Sequence, residues 1–122
     1  MPTCLIVDDS ATMRKIAKRF LSSLGFDCRE AVDGAEALAQ VRQATPDLIL
    51  LDWEMPVLDG FATLQALRSE AWDRTPRVVM CTTLNDMDQI IAAMGAGADE
   101  YVMKPYDEEI LAEKLRTVGL LA

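Results

Sequence analysis

Histidine is absent from all 122 positions of the chain. With it go the mechanisms that need an imidazole: the Ser-His-Asp triad, the Cys-His dyad and the histidine-ligated zinc site. Cysteine is scarce and odd in number. Cys4, Cys28 and Cys81 lie in or beside apolar runs, at spacings that match no zinc or redox motif, so reduced, buried thiols of a cytosolic protein are expected. No apolar run approaches the roughly 20 residues that span a bilayer, and the N-terminus has no charged segment leading into a long apolar one. The expectation is a soluble, cytoplasmic protein without membrane insertion. Positive charge is also in deficit: 12 Lys and Arg against 20 Asp and Glu leave a net charge of −8, which argues against the basic patch of a direct nucleic-acid binder. Repeats, low-complexity runs and linkers are missing too. What remains is a chain that is 51% apolar, enough for one domain over residues 1–122 with its own core.

What is present alternates. Thr3–Val7 is a short apolar run that stops at Asp8-Asp9-Ser10, and Ser10 is suited to cap a helix over Ala11–Leu24. In that helix Met13, Ile16, Phe20 and Leu24 form one apolar stripe, and Gly25 ends it. A weaker strand over Cys28–Val32, an Asp33-Gly34 turn and a helix over Ala35–Gln43 with Leu38 and Val41 inward follow. Leu48–Leu51 is apolar without alternation, as in a strand covered on both faces, and stops at Asp52. A loop marked by Pro56, Asp59 and Gly60 leads to a helix over Phe61–Ser69. Val78–Cys81 is a fourth buried strand, ending at Thr82-Thr83. Asp86 is a candidate cap for a helix whose Met87, Ile90, Ile91 and Met94 are expected in the core, closed by Gly95 and Gly97. Tyr101–Met103 is a short fifth strand, Lys104-Pro105 follows, and a last helix over Asp107–Val118 turns Ile110, Leu111, Leu115 and Val118 inward. Strand followed by helix, five times, with continuous apolar strands, predicts an α/β fold: a parallel sheet with helices on both faces.

In such a sheet, sites form at the carboxyl edge. The strands end in Asp8-Asp9, Asp52 and Thr82, and Lys104 follows the last one. Singly, each has an ordinary reading: a helix-start charge pair, loop polarity, a helix-start hydroxyl, a solvated lysine. Jointly they converge. Three clustered carboxylates repel one another unless a cation is present. Mg²⁺ (or Mn²⁺) is the natural partner, a hard ion that wants oxygen ligands and keeps waters. Three aspartates, one divalent cation and one lysine sum to zero charge, so the site can take on a phosphoryl group. Asp52 is the nucleophile candidate, because carboxylates form aspartyl-phosphates. Lys104 offers a point charge and Thr82 a hydroxyl for phosphoryl oxygens.

Asp8-Asp9, Asp52-Trp-Glu-Met-Pro56 with Asp59-Gly60, Thr82, Tyr101 and Lys104-Pro105 resemble the signature of response-regulator receiver domains, and among them the single-domain chemotaxis regulators. The likeness covers essentially the whole chain. It implies a flavodoxin-like five-stranded sheet in the order 2-1-3-4-5. It also implies residue roles. Asp52 would be the phospho-acceptor. Asp9 and Asp52 would bind the metal directly with the backbone carbonyl of Glu54, and Asp8 mainly through water. Lys104 would hold a phosphoryl oxygen, its bond to Pro105 cis. Thr82 and Tyr101 would be the switch pair. The donor would be a histidine kinase or histidine phosphotransfer protein, which fits a chain with no histidine of its own. Glu54, Thr83 and Leu84 stand at positions that tune access and autodephosphorylation in the family.

The implied function is that of a single-domain response regulator in a two-component or phosphorelay system. It would not be an enzyme beyond catalysing its own phosphoryl transfer and dephosphorylation. A competing reading, a haloacid-dehalogenase-like phosphatase, normally has a second Asp two residues past the nucleophile, where this chain has Glu54. A degenerate scaffold receiver is opposed by the complete acid set. The sequence stops soon after its last helix, so output is expected through phosphorylation-dependent binding of a downstream protein. The resemblance places that surface on the fourth helix, fifth strand and fifth helix, including Gln89, Tyr101, Met103 and Lys114. It places kinase docking on the first helix, at Met13, Arg14 and Ala17.

Overall fold

The computed structural model describes residues 1–83 and 87–122. Ten elements alternate along the chain: β1 (Thr3–Val7), α1 (Ala11–Ser23), β2 (Asp27–Ala31), α2 (Gly34–Gln43), β3 (Leu48–Asp52), α3 (Gly60–Ser69), β4 (Arg77–Thr82), α4 (Met87–Gly95), β5 (Glu100–Met103) and α5 (Glu108–Thr117). The strands form one parallel sheet in the order β2-β1-β3-β4-β5, as the resemblance implied.

Side chains along a strand alternate between faces, and this alternation divides the core in two. Leu5, Val7, Ile49, Leu51, Val78 and Met80 pack with residues of α2, α3 and α4. Cys4, Ile6, Leu48, Leu50, Val79 and Cys81 pack on the other face with Ala17 and Leu21 of α1 and Leu111 and Leu115 of α5. All five residues of β3 are buried, which accounts for its unbroken apolar run.

Local chemistry sets the helix starts. Ser10, Asp33, Asp59 and Asp107 each accept from the backbone N–H three residues on, satisfying a donor that the first turn leaves orphaned. The expected cap at Asp86, and Leu84, lie outside the described residues. Gly25 follows α1 with φ +94, a conformation that favours glycine. The cysteines are free. Burial pushes the thiols of Cys4 and Cys81 up, while Cys28 is half-buried rather than buried.

Three helix faces differ from expectation. In α1 the buried residues are Ala17 and Leu21, and Ile16 is exposed. In α5 Ala112 is buried and Ile110 exposed. In α4 only Ile90 and Ala93 are buried, and Met87 and Ile91, expected in the core, are 62% and 61% exposed, with Met94 also exposed. The cause is shared. Each helix turns only one arc toward the sheet, and each exposed isoleucine stands next in sequence to a buried residue, Ala17, Ile90 or Leu111, about 100° around the helix from it. Among the described residues, no helix is long and apolar enough to cross a membrane.

Candidate functional site

Register alone gathers the expected residues. Val7 pairs with Leu51, so Asp8 comes level with Asp52. Asp52 pairs with Cys81, which puts Thr82 one step further toward the carboxyl edge. Thr82 pairs with Met103, so Lys104 lies one step beyond that, and its long side chain reaches back. The backbone fixes this stagger through Trp53 N–H to Cys81 O at 2.9 Å and Lys104 N–H to Thr82 O at 2.8 Å.

The result is an open cleft of about 570 Å³ whose walls include Asp8, Asp9, Asp52, Glu54, Thr82 and Lys104. Asp8, Asp52 and Thr82 are buried, whereas Asp9 and Glu54 are exposed. One carboxylate oxygen from each of Asp8, Asp9 and Asp52 lies within 4.8 Å of the other two, close enough for one metal ion. An all-oxygen set of this kind suits a hard divalent cation. The ammonium of Lys104 donates to Asp8 Oδ2 at 2.8 Å and to Asp52 Oδ1 at 3.0 Å.

These groups shift one another. Burial pushes the Asp52 carboxyl above its ordinary value; Lys104 opposes the shift, and the charges of Asp8 and Asp9 add to it. Burial pulls the Lys104 ammonium down, but its hydrogen bonds to Asp8 and Asp52 outweigh that and leave it raised. The two carboxylates that Lys104 bridges thus favour its cationic form.

Gly60, read in sequence as a loop residue and as part of the family signature, has a packing role here. A Cβ on it would lie 2.2 Å from the Asp52 carbonyl oxygen, and its N–H donates to Trp53 O at 2.8 Å. Only glycine lets α3 begin against the back of Asp52. In the same loop Val57 holds φ 69, a left-handed conformation that costs a β-branched residue energy. Neither feature has a signal in side-chain chemistry. The Lys104-Pro105 peptide is cis, as the resemblance implied.

The expected switch and docking residues are placed as follows. Tyr101 is half-buried, with the Lys114 ammonium 4.6 Å from its ring centroid. Tyr101, Thr82 and Gln89 border a gap of about 10 Å³ beneath α4. The Gln89 Oε1 is buried and has no hydrogen-bond partner among the described residues. Met103 is exposed and Met13 lines the cleft. Ala17 is only 3% exposed, so it cannot serve in docking as expected; with Leu21 it packs α1 into the core. Arg14 is mostly covered, engaged with Glu30 and the Asp8 carbonyl.

The model of the response regulator receiver domain matches residues 4–116. The chain belongs to that family. Among curated proteins it is 40% identical over 115 residues to chemotaxis protein CheY of Pseudomonas aeruginosa, covering 93% of each. It is 37% identical over 116 residues to CheY1 of Helicobacter pylori, covering 93% of this chain and 94% of that protein. It is also 38% identical over 114 residues to the probable transcriptional regulator ycf27 of Porphyridium aerugineum, covering 93% of this chain but 46% of that protein. The chain therefore spans less than half the length of such regulators and nearly all of the chemotaxis proteins. The solved structure of Vibrio cholerae CheY4 superposes with a TM-score of 0.90 at 32% identity, covering 97% of this chain and 98% of that one.

Proposed function

We propose that Asp52 of this receiver domain accepts a phosphoryl group from a histidine kinase or histidine phosphotransfer protein, and that the phosphorylated form signals by binding a downstream protein. The observation that carries this reading is the Lys104 ammonium bridging Asp8 and Asp52 beside a third carboxylate, Asp9, at the open carboxyl edge. A lysine that merely solvates itself does not sit between two buried acids.

The site has what phosphoryl transfer asks for, which is positioning and charge neutralisation. Asp52 presents an ionised oxygen and needs no general base. That oxygen forms a bond to phosphorus while the bond from phosphorus to the donor's imidazole nitrogen breaks, its electron pair staying on the nitrogen. Asp8, Asp9 and Asp52, with the Glu54 carbonyl, are the groups to hold Mg²⁺. When bound, the ion neutralises charge on the phosphoryl oxygens. Lys104 and Thr82 face the remaining oxygens. Contacts they make only in the phosphorylated state supply the differential free energy that a switch requires, and Tyr101 is the side chain that follows Thr82. Catalysis of other substrates is not part of this reading. The exposed Met87, Ile91, Met94 and Met103 give the α4-β5 side an apolar surface suited to protein binding, next to Gln89, Tyr101 and Lys114.

The test is intact-mass measurement after incubation with acetyl phosphate and Mg²⁺. The wild-type chain should gain one phosphoryl adduct and Asp52→Asn none. An equal adduct on the variant would overturn the assignment of Asp52.

A further inference from the structure

Asp8 has four polar atoms, and all four are held. Its N–H donates to Ala31 O at 3.2 Å, Oδ1 accepts from Ser10 N–H at 2.9 Å, and Oδ2 accepts from Lys104 at 2.8 Å. The fourth, its carbonyl oxygen, accepts from Arg14 Nη1 at 2.8 Å. The same guanidinium donates through Nε to Glu30 Oε1 at 3.0 Å. Glu30 is the β2 residue just before Ala31, the residue that holds the Asp8 N–H. Arg14 therefore closes a loop: α1 to the end of β1, back to the end of β2, and across to Asp8 again. Its side chain is only 15% exposed, although it sits on a helix that faces solvent.

We infer that Arg14 is a positioning residue for the acidic cluster, setting the Asp8 backbone so that the Asp8 carboxylate meets the metal and Lys104 together. The inference rests on the cluster being a divalent-cation site. A planar fork suits the task. It grips a carbonyl and a carboxylate from two strands at fixed angles, which a lysine ammonium does not reproduce. Charge is not the main contribution, because Glu30 already balances the guanidinium, and Lys18 lies 3.7 Å from the other Glu30 oxygen. Outer partners that orient metal ligands typically carry about 10- to 100-fold in metal affinity.

The experiment is a Mg²⁺ titration followed by the fluorescence of Trp53, which lines the cleft, on wild type, Arg14→Lys and Arg14→Met, with Asp9→Ala as the reference for a broken site. Thermal melting without metal checks the fold of each. Both Arg14 variants should bind Mg²⁺ about tenfold more weakly or worse, and Arg14→Lys should not be rescued by its retained charge. Glu30→Gln, which keeps an acceptor for the guanidinium, should fall between wild type and Arg14→Lys. Folded Arg14 variants that bind as tightly as wild type would overturn the inference. So would tighter binding by Arg14→Met alone, because Arg14 would then act only as a competing charge. A wild-type chain that shows no Mg²⁺ response would instead overturn the metal-site reading beneath it.

Discussion

On the β1-α1 side of the cleft, every polar atom of Asp8 has a partner, drawn from β2, the α1 cap Ser10, α1 and the residue after β5. Across the cleft, α4 buries Ile90 and Ala93 alone, leaves Met87, Ile91 and Met94 exposed, and keeps a buried Gln89 oxygen with no partner among the described residues above a small void. One side is over-determined and the other loosely committed. The difference fits the division of labour that the proposed function requires. Chemistry on a carboxylate needs atoms fixed to within fractions of an ångström, whereas a switch needs an element whose two arrangements differ by only a few kcal/mol.

Removing Lys104 should strike hardest at the over-determined side. Lys104→Met leaves Asp8 and Asp52 buried and facing each other, and breaking a buried pair costs about 3–5 kcal/mol. Urea unfolding at neutral pH without metal should show that loss, and saturating Mg²⁺ should restore much of it. A variant as stable as wild type would mean that the bridge holds nothing.

Mg²⁺ itself should stabilise the wild-type fold by about 2.7 kcal/mol at one hundred times its dissociation constant. Asp9→Ala should erase most of that shift in melting temperature, and indifference of the wild type to the ion would remove the case for an acidic pocket.

The two isoleucines of α4 test how thinly that helix is anchored. Ile90→Ala should cost about 2–3 kcal/mol and Ile91→Ala less than about 0.5 kcal/mol, read from denaturant midpoints. Equal costs would show α4 packed on both faces.

The pH dependence of Asp52→Asn has a definite sign. The folded-state carboxyl of Asp52 lies above its ordinary value of 3.8, so ionising it opposes folding. Its favourable contribution is complete below the unfolded value and is lost as pH rises through the folded one. In metal-free buffer, Asp52→Asn should therefore be at least as stable as wild type near neutrality. That advantage should close as pH falls toward 3.8. An advantage that widens in acid would contradict the burial of the charge.

The smallest effect concerns Gln89. Replacing an unsatisfied buried acceptor with an apolar group of similar shape is neutral or favourable, so Gln89→Met should hold or gain up to about 1 kcal/mol. A clear loss would show that the amide has a partner in solution.

Sequence was sufficient wherever a signal is local. Period and punctuation located ten elements because strand length, capping side chains and Gly or Pro breaks act within a few residues. The polar residues at strand ends named Asp8, Asp9, Asp52, Thr82 and Lys104 because a parallel sheet sends all strand ends to one edge. The strand order came from family resemblance, since nothing in periodicity orders parallel strands. Tertiary structure alone decided which arc of each helix is covered. Ala17, Ala93 and Ala112 are buried while Ile16, Ile91 and Ile110 are exposed, because only one arc of each helix can face the sheet and hydrophobicity by itself does not say which. Only the folded chain could show Arg14 joining Asp8 to Glu30, residues 22 positions apart in sequence. A hydrogen bond between distant residues leaves no periodic trace in the chain.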